Sequence, residues 1–251
     1  MSQAGNICRR IGNELYRVAF PIYRPLYSAF KAYDDRAERR ALTTQLSAGC
    51  TVVDAGANIG IYSRFFLQQV GPSGTVHSFE PSPDNFRRLR AALHDFPNVH
   101  LNQLSVSDRT EESVLYVSET LNVDHRTYPI EGEPRQRISI HSTRLDDYFK
   151  PGARVDLIKM DIQGFELHAL RGAERVLEDN ADVKLLLEFW PYGLKQAGSS
   201  PEAFVSFLKD HGFMIFYPGE EGLNRSEVPI LDPSDPSDYL NVFARKAGTM
   251  V

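Results

Sequence analysis

The sequence predicts an α/β fold with a mostly parallel seven-stranded sheet, an inserted β-hairpin and an N-terminal helical arm. Short apolar segments rich in β-branched residues alternate with longer segments of helical periodicity, and this order favours parallel strands joined by crossover helices. The chain has 251 residues, of which 42% are hydrophobic and 24% are charged. These values indicate one large folded domain with an ordinary apolar core rather than a disordered chain.

Apolar periodicity and turn residues locate the individual elements. The predicted strands of the main sheet lie at residues 51–54, 75–80, 99–106, 155–160, 183–189, 213–217 and 240–244. The predicted helices lie at residues 34–46, 61–69, 83–94, 165–178 and 201–211. The start of the helix at 83–94 is the most clearly marked, because Ser82 is a suitable N-cap and proline is favoured at the first helical position.

The stretch from residue 112 to residue 140 interrupts this alternation. Residues 113–117 and 137–141 alternate in the manner of strands, and a polar segment that contains Asp124, His125 and Arg126 lies between them. We therefore predict an inserted β-hairpin with a long polar loop. Loops of this length are usually functional or disordered.

The N-terminal arm is predicted to span residues 1–46, ahead of a domain that spans residues 47–251. Five basic side chains and one acidic one lie in residues 1–33, although the whole chain has a net charge of -5. Pro21 and Pro25 are expected to break any continuous helix here. We expect the arm to pack on the domain or on a second subunit, as in a homodimer. Peripheral contact with an anionic membrane surface is the alternative.

Charge and composition exclude several classes of protein. Nucleic-acid-binding domains are usually basic, so the sequence pI of 5.8 argues against a nucleic-acid partner. No apolar run approaches the roughly 18 residues that a membrane-spanning helix needs. The two cysteines form neither a disulfide framework nor a zinc motif, and they favour a reducing compartment, so a cytoplasmic location is expected.

The strongest motif is VDAGANIGIY at residues 53–62, which joins the first strand to a helix. Gly56 and Gly60 allow a sharp turn and a close approach to a ligand, and Asn58 tolerates a positive φ. The spacing does not match the G-x-G-x-x-G fingerprint of dinucleotide sites, which disfavours an NAD-dependent oxidoreductase. The carboxylate of Asp54 suits a cationic ligand group. The D-x-G-x-N-x-G arrangement is that of S-adenosylmethionine sites, where an amino-acid moiety replaces the pyrophosphate.

Acidic residues also follow the next two strands. Glu80, which precedes Pro81, ends the second strand and is predicted to accept hydrogen bonds from both ribose hydroxyls of the cofactor. Ser107 and Asp108 follow the third strand and are predicted to lie near the adenine. A simple Asp turn is an equal alternative for this pair.

A second motif, DLIKMDIQGFEL, occupies residues 156–167. Lys159 lies inside an apolar strand, where an unpaired charge would be costly. Asp161 lies at the carboxyl end of that strand, where open α/β sheets bind their ligands. Glu166 falls in the first turn of the next helix, where the helix dipole favours a carboxylate. For Lys159 and Glu166 a buried ion pair is an alternative interpretation.

Together the two motifs resemble the FkbM family of S-adenosylmethionine-dependent methyltransferases, which have the Rossmann-like class I methyltransferase fold. The family's K-x-D-x-E-G-x-E block, which ends in L-x-G, is matched by Lys159, Asp161, Gly164, Glu166, Leu170 and Gly172. The resemblance implies O-methylation of a hydroxyl on a small-molecule or carbohydrate acceptor. Gln163 departs from the family's usual acidic residue, so a non-catalytic protein that binds the same cofactor is the alternative.

Three residues are predicted to orient or deprotonate the acceptor, namely Asp161, His125 and Glu188. Glu188 ends a later core strand and is followed by Trp190 and Tyr192, which would either stack on the acceptor or fill the rim of the core. His125 could equally be an exposed loop residue. A variant with Mg²⁺ bound by the same three residues is conceivable, but no spacing demands it, and no metal is predicted.

Overall fold

The computed structural model describes residues 12, 14–118, 123–130, 132–219, 222–225 and 231–246. The remaining parts of the predicted arm, residues 1–11 and residue 13, lie outside this description.

The strands in chain order are β1 (Thr51–Ala55), β2 (Thr75–Phe79), β3 (Val99–Asn102), β4 (Ser105–Val106), β5 (Glu112–Val117), β6 (Gln136–Thr143), β7 (Leu157–Met160), β8 (Lys184–Phe189), β9 (Phe213–Gly219), β10 (Gly222–Arg225) and β11 (Leu240–Lys246). The helices are α1 (Phe20–Asp34), α2 (Arg36–Gln45), α3 (Ile61–Val70), α4 (Pro83–Leu93), α5 (Leu145–Tyr148), α6 (Glu166–Arg171), α7 (Glu174–Asp179), α8 (Pro191–Gln196) and α9 (Pro201–Asp210).

The main sheet has eight strands in the order β10-β9-β11-β8-β7-β1-β2-β3. Neighbours from β3 to β8 are parallel, and β11 runs antiparallel to both β8 and β9. The mostly parallel sheet and its seven predicted strands are therefore confirmed. The eighth strand, β10, pairs with β9 at the edge of the sheet and was not predicted.

The inserted hairpin is also confirmed. Strands β5 and β6 pair in antiparallel register from Glu112↔His141 to Val117↔Gln136. The predicted third strand, residues 99–106, is divided in the structure. Its first part is β3 of the main sheet, whereas its end, β4, turns away and pairs in parallel with β6.

Alternate residues of the central strands point to opposite faces of the sheet. Val53 and Ile158 pack in one core with α6, α7 and α9. Val52 and Leu157 pack in the other core with α2, α3 and α4. Because helices cover both faces, all four residues of β7 are buried, Lys159 included.

The predicted helix at 165–178 is divided into α6 and α7 at Gly172. A Cβ atom on Gly172 would lie 2.0 Å from the carbonyl oxygen of Ser107. Only glycine permits this close approach, which packs the end of α6 against the segment that follows β4.

The two prolines of the arm act differently. Residues 14–18 are helical, and the helix is interrupted at Ala19, because Pro21 has no N–H to continue the ladder. Pro25, however, lies inside the continuous helix α1. The expectation that Pro25 breaks the arm is therefore wrong. Tertiary packing of one helical face outweighs the single hydrogen bond that this proline removes.

That packed face of the arm is aromatic. Tyr16 and Tyr23 form a small core cluster with Ile59, at the end of the loop that follows β1. The guanidinium of Arg88 on α4 lies 3.5 Å from the centre of the Tyr16 ring and donates a hydrogen bond to the Tyr16 carbonyl. The arm is thus anchored beside the loop that follows β1.

The opposite side of the arm exposes large apolar side chains at Val18, Ile22, Leu26, Phe30 and Tyr33. The sequence predicts a second subunit or a membrane surface as the partner of the arm, and both remain predictions. Among the residues described, no helix is long and apolar enough to cross a membrane.

Candidate functional site

The loop between β1 and α3 reaches the loop that follows β7. Gly56 has φ +77, and a Cβ atom there would lie 2.0 Å from the carbonyl oxygen of Asp161. Gly60 has φ +87 and precedes the first residue of α3. Gly56 therefore brings the backbone of the first motif against that of the second, as the carboxyl ends of neighbouring parallel strands allow, whereas Gly60 packs against Leu89 of α4.

Asp54 lies beneath this loop. Its side chain is fully buried, and it accepts a hydrogen bond of 2.6 Å from the Ser63 hydroxyl. The Nζ atom of Lys159 lies 3.3 Å from its other oxygen and donates to the Gly56 carbonyl at 3.2 Å. Burial opposes the charge on Lys159, but Asp54 and Asp161 outweigh burial and raise the pKa of this lysine. Asp54 is thus the buried partner that Lys159 requires.

Glu80 closes the other side of the loop. Its Oε2 accepts a hydrogen bond of 2.8 Å from the backbone N–H of Asn58, and its Oε1 accepts one of 2.9 Å from that of Ser82. Burial raises the pKa of Glu80 to about 7, although these hydrogen bonds oppose the shift. The Asn85 side chain also hydrogen-bonds to Glu80. A carboxylate offers about four acceptor positions, so about one remains for a ligand.

A cleft of about 530 Å³, counting the part open to solvent, lies above these residues. Six predicted site residues line it, namely Gly56, Asn58, Glu80, Pro81, His125 and Asp161. Its apolar lining includes Phe79, Leu104, Val106, Leu115 and Phe165. The structure thus brings together most of the predicted cofactor residues at one edge of the sheet.

Ser107 and Asp108 do not line this cleft. The carboxylate of Asp108 lies 3.1 Å from Nδ1 of His168 on α6, and the Ser107 carbonyl lies against Gly172. These contacts belong to the packing of α6. The residues just before them, Leu104 to Val106, line the cleft instead.

The loop after β7 is held in an unusual conformation. Gln163 has φ +59 and Asn58 has φ +49, and within the described ranges these are the two non-glycine residues with positive φ. Such strained residues cluster at functional sites. The Tyr128 hydroxyl, from the loop of the inserted hairpin, donates a hydrogen bond to the Gln163 carbonyl. Tyr128 was not predicted, because no sequence signal relates the hairpin loop to this turn.

Three carboxylates surround this turn. Asp161 is half-exposed, with 47% of its side chain accessible. Glu166 is buried, accepts a hydrogen bond of 2.9 Å from the Ile162 N–H, and has its pKa raised to about 8 by burial. Burial, followed by the charges of Asp161 and Glu166, raises the pKa of Glu188 well above its usual value. Within the described chain, Oε2 of Glu188 has no hydrogen-bond partner.

His125 contributes a defined tautomer to the cleft. Its Nδ1 accepts a hydrogen bond of 3.1 Å from the Ser118 N–H, so the ring proton resides on Nε2. Burial lowers the pKa of His125 and keeps the ring neutral.

Trp190 is buried and donates from Nε1 to the Pro236 carbonyl at 3.1 Å. Of the two interpretations of Trp190, the structure favours filling the rim of the core.

No group of three or more His, Cys, Asp or Glu side chains in the described part of the chain is arranged to hold a metal ion.

The strand order, the reversed strand β11 and the glycine loop after β1 together define the Rossmann-like fold of class I methyltransferases. The family model for the methyltransferase FkbM domain matches residues 54–215. The chain therefore belongs to the FkbM family of methyltransferase domains.

Known relatives agree with this family. The chain is 28% identical over 143 residues to the 2-O-methyltransferase NoeI of Sinorhizobium fredii, a match that covers 50% of this chain and 58% of that protein. It is 27% identical over 202 residues to the 31-O-demethyl-FK506 methyltransferase FkbM of Streptomyces tacrolimicus, covering 68% of this chain and 75% of that protein.

A solved structure from Clostridium thermocellum, assigned as an rRNA methylase, has a similar fold. It superposes with a TM-score of 0.51 at 13% identity, and the match covers 84% of this chain and 94% of that one. At this identity the likeness concerns the fold alone.

Proposed function

We propose that this chain transfers the methyl group of S-adenosylmethionine to a hydroxyl oxygen of a small-molecule or carbohydrate acceptor. The observation that supports the proposal most is the convergence of Gly56, Glu80 and Asp161 on one cleft at the carboxyl edge of the sheet. The names of the NoeI and FkbM relatives describe O-methyltransferases, which supports a hydroxyl as the acceptor group.

The residues of the cleft fit this cofactor. The free volume of about 530 Å³ lies within the range of small-molecule sites. The remaining acceptor position of Glu80 suits a ribose hydroxyl. The apolar wall formed by Leu104, Val106 and Leu115 suits a flat adenine ring. Asp161, which is half-exposed beside Gly56, is able to accept hydrogen bonds from an ammonium group. When bound, S-adenosylmethionine supplies a methyl group that its sulfonium already activates.

Glu188 is the best candidate for the base that takes the acceptor proton. Its burial and its neighbouring carboxylates raise its pKa, which makes its carboxylate a stronger base than an ordinary glutamate. In the reaction the acceptor O–H proton passes to Glu188 while the O–CH₃ bond forms and the S–CH₃ bond breaks. The bonding pair remains on sulfur, and the products are the methyl ether and S-adenosylhomocysteine.

His125 and Asp161 have supporting roles in this scheme. Because Nδ1 of His125 already accepts a hydrogen bond, its Nε2–H is a donor, and it is suited to orient the acceptor oxygen rather than to deprotonate it. Asp161 lies at the mouth of the cleft and is suited to position either the cofactor or the acceptor. Alignment of the oxygen, the methyl carbon and the sulfur is the main contribution that these groups make.

Isothermal titration of S-adenosylmethionine tests the cofactor assignment. We expect binding by the wild type and at least about tenfold weaker binding by Glu80→Ala, because hydrogen bonds to a charged group are lost. Glu178→Ala, an exposed carboxylate on α7, serves as the control and should bind normally. Lack of wild-type binding, or undiminished binding by Glu80→Ala, contradicts the assignment. Binding without release of S-adenosylhomocysteine from any acceptor favours a non-catalytic protein.

A further inference from the structure

The side of α1 that points away from the domain is apolar. Ile22, Leu26 and Phe30 follow one another at intervals of four residues, and Tyr33 follows three residues later. This spacing places the four side chains on one face of the helix, opposite the aromatic side chains that pack on the domain. We refer to these four residues as the apolar stripe.

The apolar stripe is well exposed. Its four side chains are at least 56% accessible, and Val18, in the helical turn before α1, is exposed as well. Of the seven large apolar side chains that the described chain exposes, these five lie in the arm. The other exposed positions from residue 21 to residue 32 are proline or alanine, so no charge interrupts this face. Contiguous apolar surfaces of this kind mark interaction sites.

The charges close to the stripe are basic. No acidic residue occurs from residue 18 to residue 33, and the charged residues in that interval are Arg24 and Lys31. Lys31 is bonded to Asp35 at 2.6 Å, so its charge is compensated within the protein. Arg24 forms no salt bridge within the described part of the chain. Its charge therefore remains available to an external anion.

Two further arginines accompany Arg24. Burial, and then the charge of Arg64 on α3, lower the pKa of Arg24, so the two guanidinium groups lie near each other. Arg17, which precedes Val18, is exposed. Among the residues described, neither Arg17 nor Arg64 forms a salt bridge. This part of the surface thus presents positive charge beside apolar side chains.

These charges distinguish between the two partners that the sequence predicts for the arm. In a two-fold dimer the same surface of both copies meets, so the arginines of one arm would approach those of the other. An anionic lipid surface complements them, and the boundary between its headgroups and acyl chains accepts apolar side chains.

The distribution of charge over the whole chain has a related effect. Residues 1–33 hold five basic side chains and one acidic one, although the chain has a net charge of -5. The rest of the chain is therefore acidic. An anionic surface attracts the arm and repels the rest, which favours an orientation with α1 toward the lipid.

We propose that the exposed face of α1 docks on the surface of an anionic lipid bilayer, with the apolar stripe at the headgroup boundary and Arg17 and Arg24 against the lipid phosphates. This inference is independent of methyl transfer, and the arm lies outside the residues 54–215 that match the family model. Because Tyr16 and Tyr23 of the arm pack against Ile59, docking holds the loop that follows β1 near the lipid.

Vesicle flotation of the full chain tests the proposal. One set of vesicles consists of phosphatidylcholine, and the other contains phosphatidylcholine and phosphatidylglycerol at about 2:1. We expect a partition coefficient at least tenfold larger on the anionic vesicles. High salt should reduce it, because salt screens charges at an exposed surface. Sedimentation equilibrium without vesicles should show a monomer.

Two double variants locate the binding surface. Ile22→Ser/Leu26→Ser should lower the partition coefficient on anionic vesicles at least tenfold, because it removes apolar side chains from the boundary. Arg17→Gln/Arg24→Gln should lower it about fivefold for each charge removed. All four side chains lie on the surface of the arm, and far-UV circular dichroism confirms that each variant is folded.

Two controls match these variants. Tyr239→Ser removes an aromatic side chain that is 57% exposed and lies outside the arm. Arg154→Gln removes an exposed charge just before β7. Both should bind anionic vesicles as the wild type does.

Three results would overturn the proposal. The first is a wild type that does not bind anionic vesicles, or binds both kinds of vesicle equally. The second is binding that neither double variant reduces, because another surface would then be responsible. The third is a dimer that forms without vesicles and that Ile22→Ser/Leu26→Ser dissociates, because the stripe would then bind a second copy. Flotation is performed without cofactor, so none of these results bears on methyl transfer.

Discussion

The Nζ atom of Lys159 lies 3.3 Å from Oδ1 of Asp54, and both side chains are almost completely buried. The two residues are also neighbours in the β1–β7 ladder. Lys159 donates a further hydrogen bond to the Gly56 carbonyl, so the pair ties the glycine loop to the strand that carries Asp161. This buried ion pair joins the two motifs that were separate in the sequence.

Replacing Lys159 with methionine should lower the free energy of unfolding by about 3–5 kcal/mol, because it leaves the Asp54 carboxylate buried without a cation. Urea unfolding measures the change. In the double variant Asp54→Asn/Lys159→Met a neutral amide replaces the buried carboxylate of Asp54. The free energy of unfolding should therefore fall less than in Lys159→Met alone. A double variant that is less stable than Lys159→Met would show that the pair itself contributes little.

Gly56→Ala should be more destabilising than Gly152→Ala. The two glycines have similar φ values of +77 and +73, so both alanines carry a similar conformational cost of roughly 1–2 kcal/mol. Only at Gly56 does the new Cβ meet the Asp161 carbonyl, whereas nothing lies within 4 Å of the Cβ position at Gly152. Overpacking should add a further 1–3 kcal/mol, roughly, in urea unfolding. Equal losses in the two variants would contradict the close approach.

Stability should fall as the pH rises from about 5 to about 8. The pKa of Glu166 is about 8 in the folded protein and lies near the ordinary value in the unfolded chain. The folded state therefore binds the extra proton in this range, and the stability that the proton confers is lost as the pH rises through the folded pKa. Urea unfolding between pH 5 and pH 8 measures the slope.

Glu166→Gln should reduce this pH dependence, since an amide keeps the acceptor for the Ile162 N–H and does not titrate. The slope should not vanish, because the pKa values of Glu80 and Glu188 are raised as well. Glu178→Gln provides the control for a surface carboxylate. If the unfolding free energy of Glu166→Gln changed with pH as steeply as that of the wild type, the pH dependence would arise from groups other than Glu166.

Affinity for S-adenosylmethionine should rise between pH 6 and pH 8. Glu80 has a pKa of about 7, and its ionised form is the better acceptor for ribose hydroxyls. Titration calorimetry at several pH values measures the affinity, and Glu80→Gln should flatten the profile. A profile of the wild type that does not change with pH would argue against a ribose contact by Glu80.

Glu188→Gln should reduce kcat by about 10²–10⁴, the usual contribution of a general base. The Kd for S-adenosylmethionine should remain within twofold, because Glu188 does not line the cleft proposed for the cofactor. In the wild type, kcat should rise with pH as Glu188 loses its proton, and this limb should be absent in Glu188→Gln. His125→Gln, which retains a donor, should lose less activity. If His125→Gln lost more activity than Glu188→Gln, His125 would be the base instead of Glu188.

The sequence was sufficient to predict those site residues whose positions follow from the order of the parallel strands. In a parallel sheet the carboxyl ends of neighbouring strands meet at one edge. Gly56, Glu80 and Asp161 each follow such a strand, and the structure places all three on one cleft. Helix ends were harder to predict, as the break at Gly172 shows, because that break depends on contact with Ser107 far away in the chain.

Local pattern therefore determined the α/β class, the parallel sheet, the inserted hairpin and the family to which the chain belongs. Tertiary structure alone decided that Asp54 lies beneath the loop with Lys159, that Asp108 bonds to His168 instead of lining the cleft, and that Tyr16 of the arm packs against Ile59. Those relationships join residues distant in the chain, since Lys159 and Gly56 are 103 positions apart. Their contacts are set by how the helices and loops pack around the sheet, which no local spacing encodes.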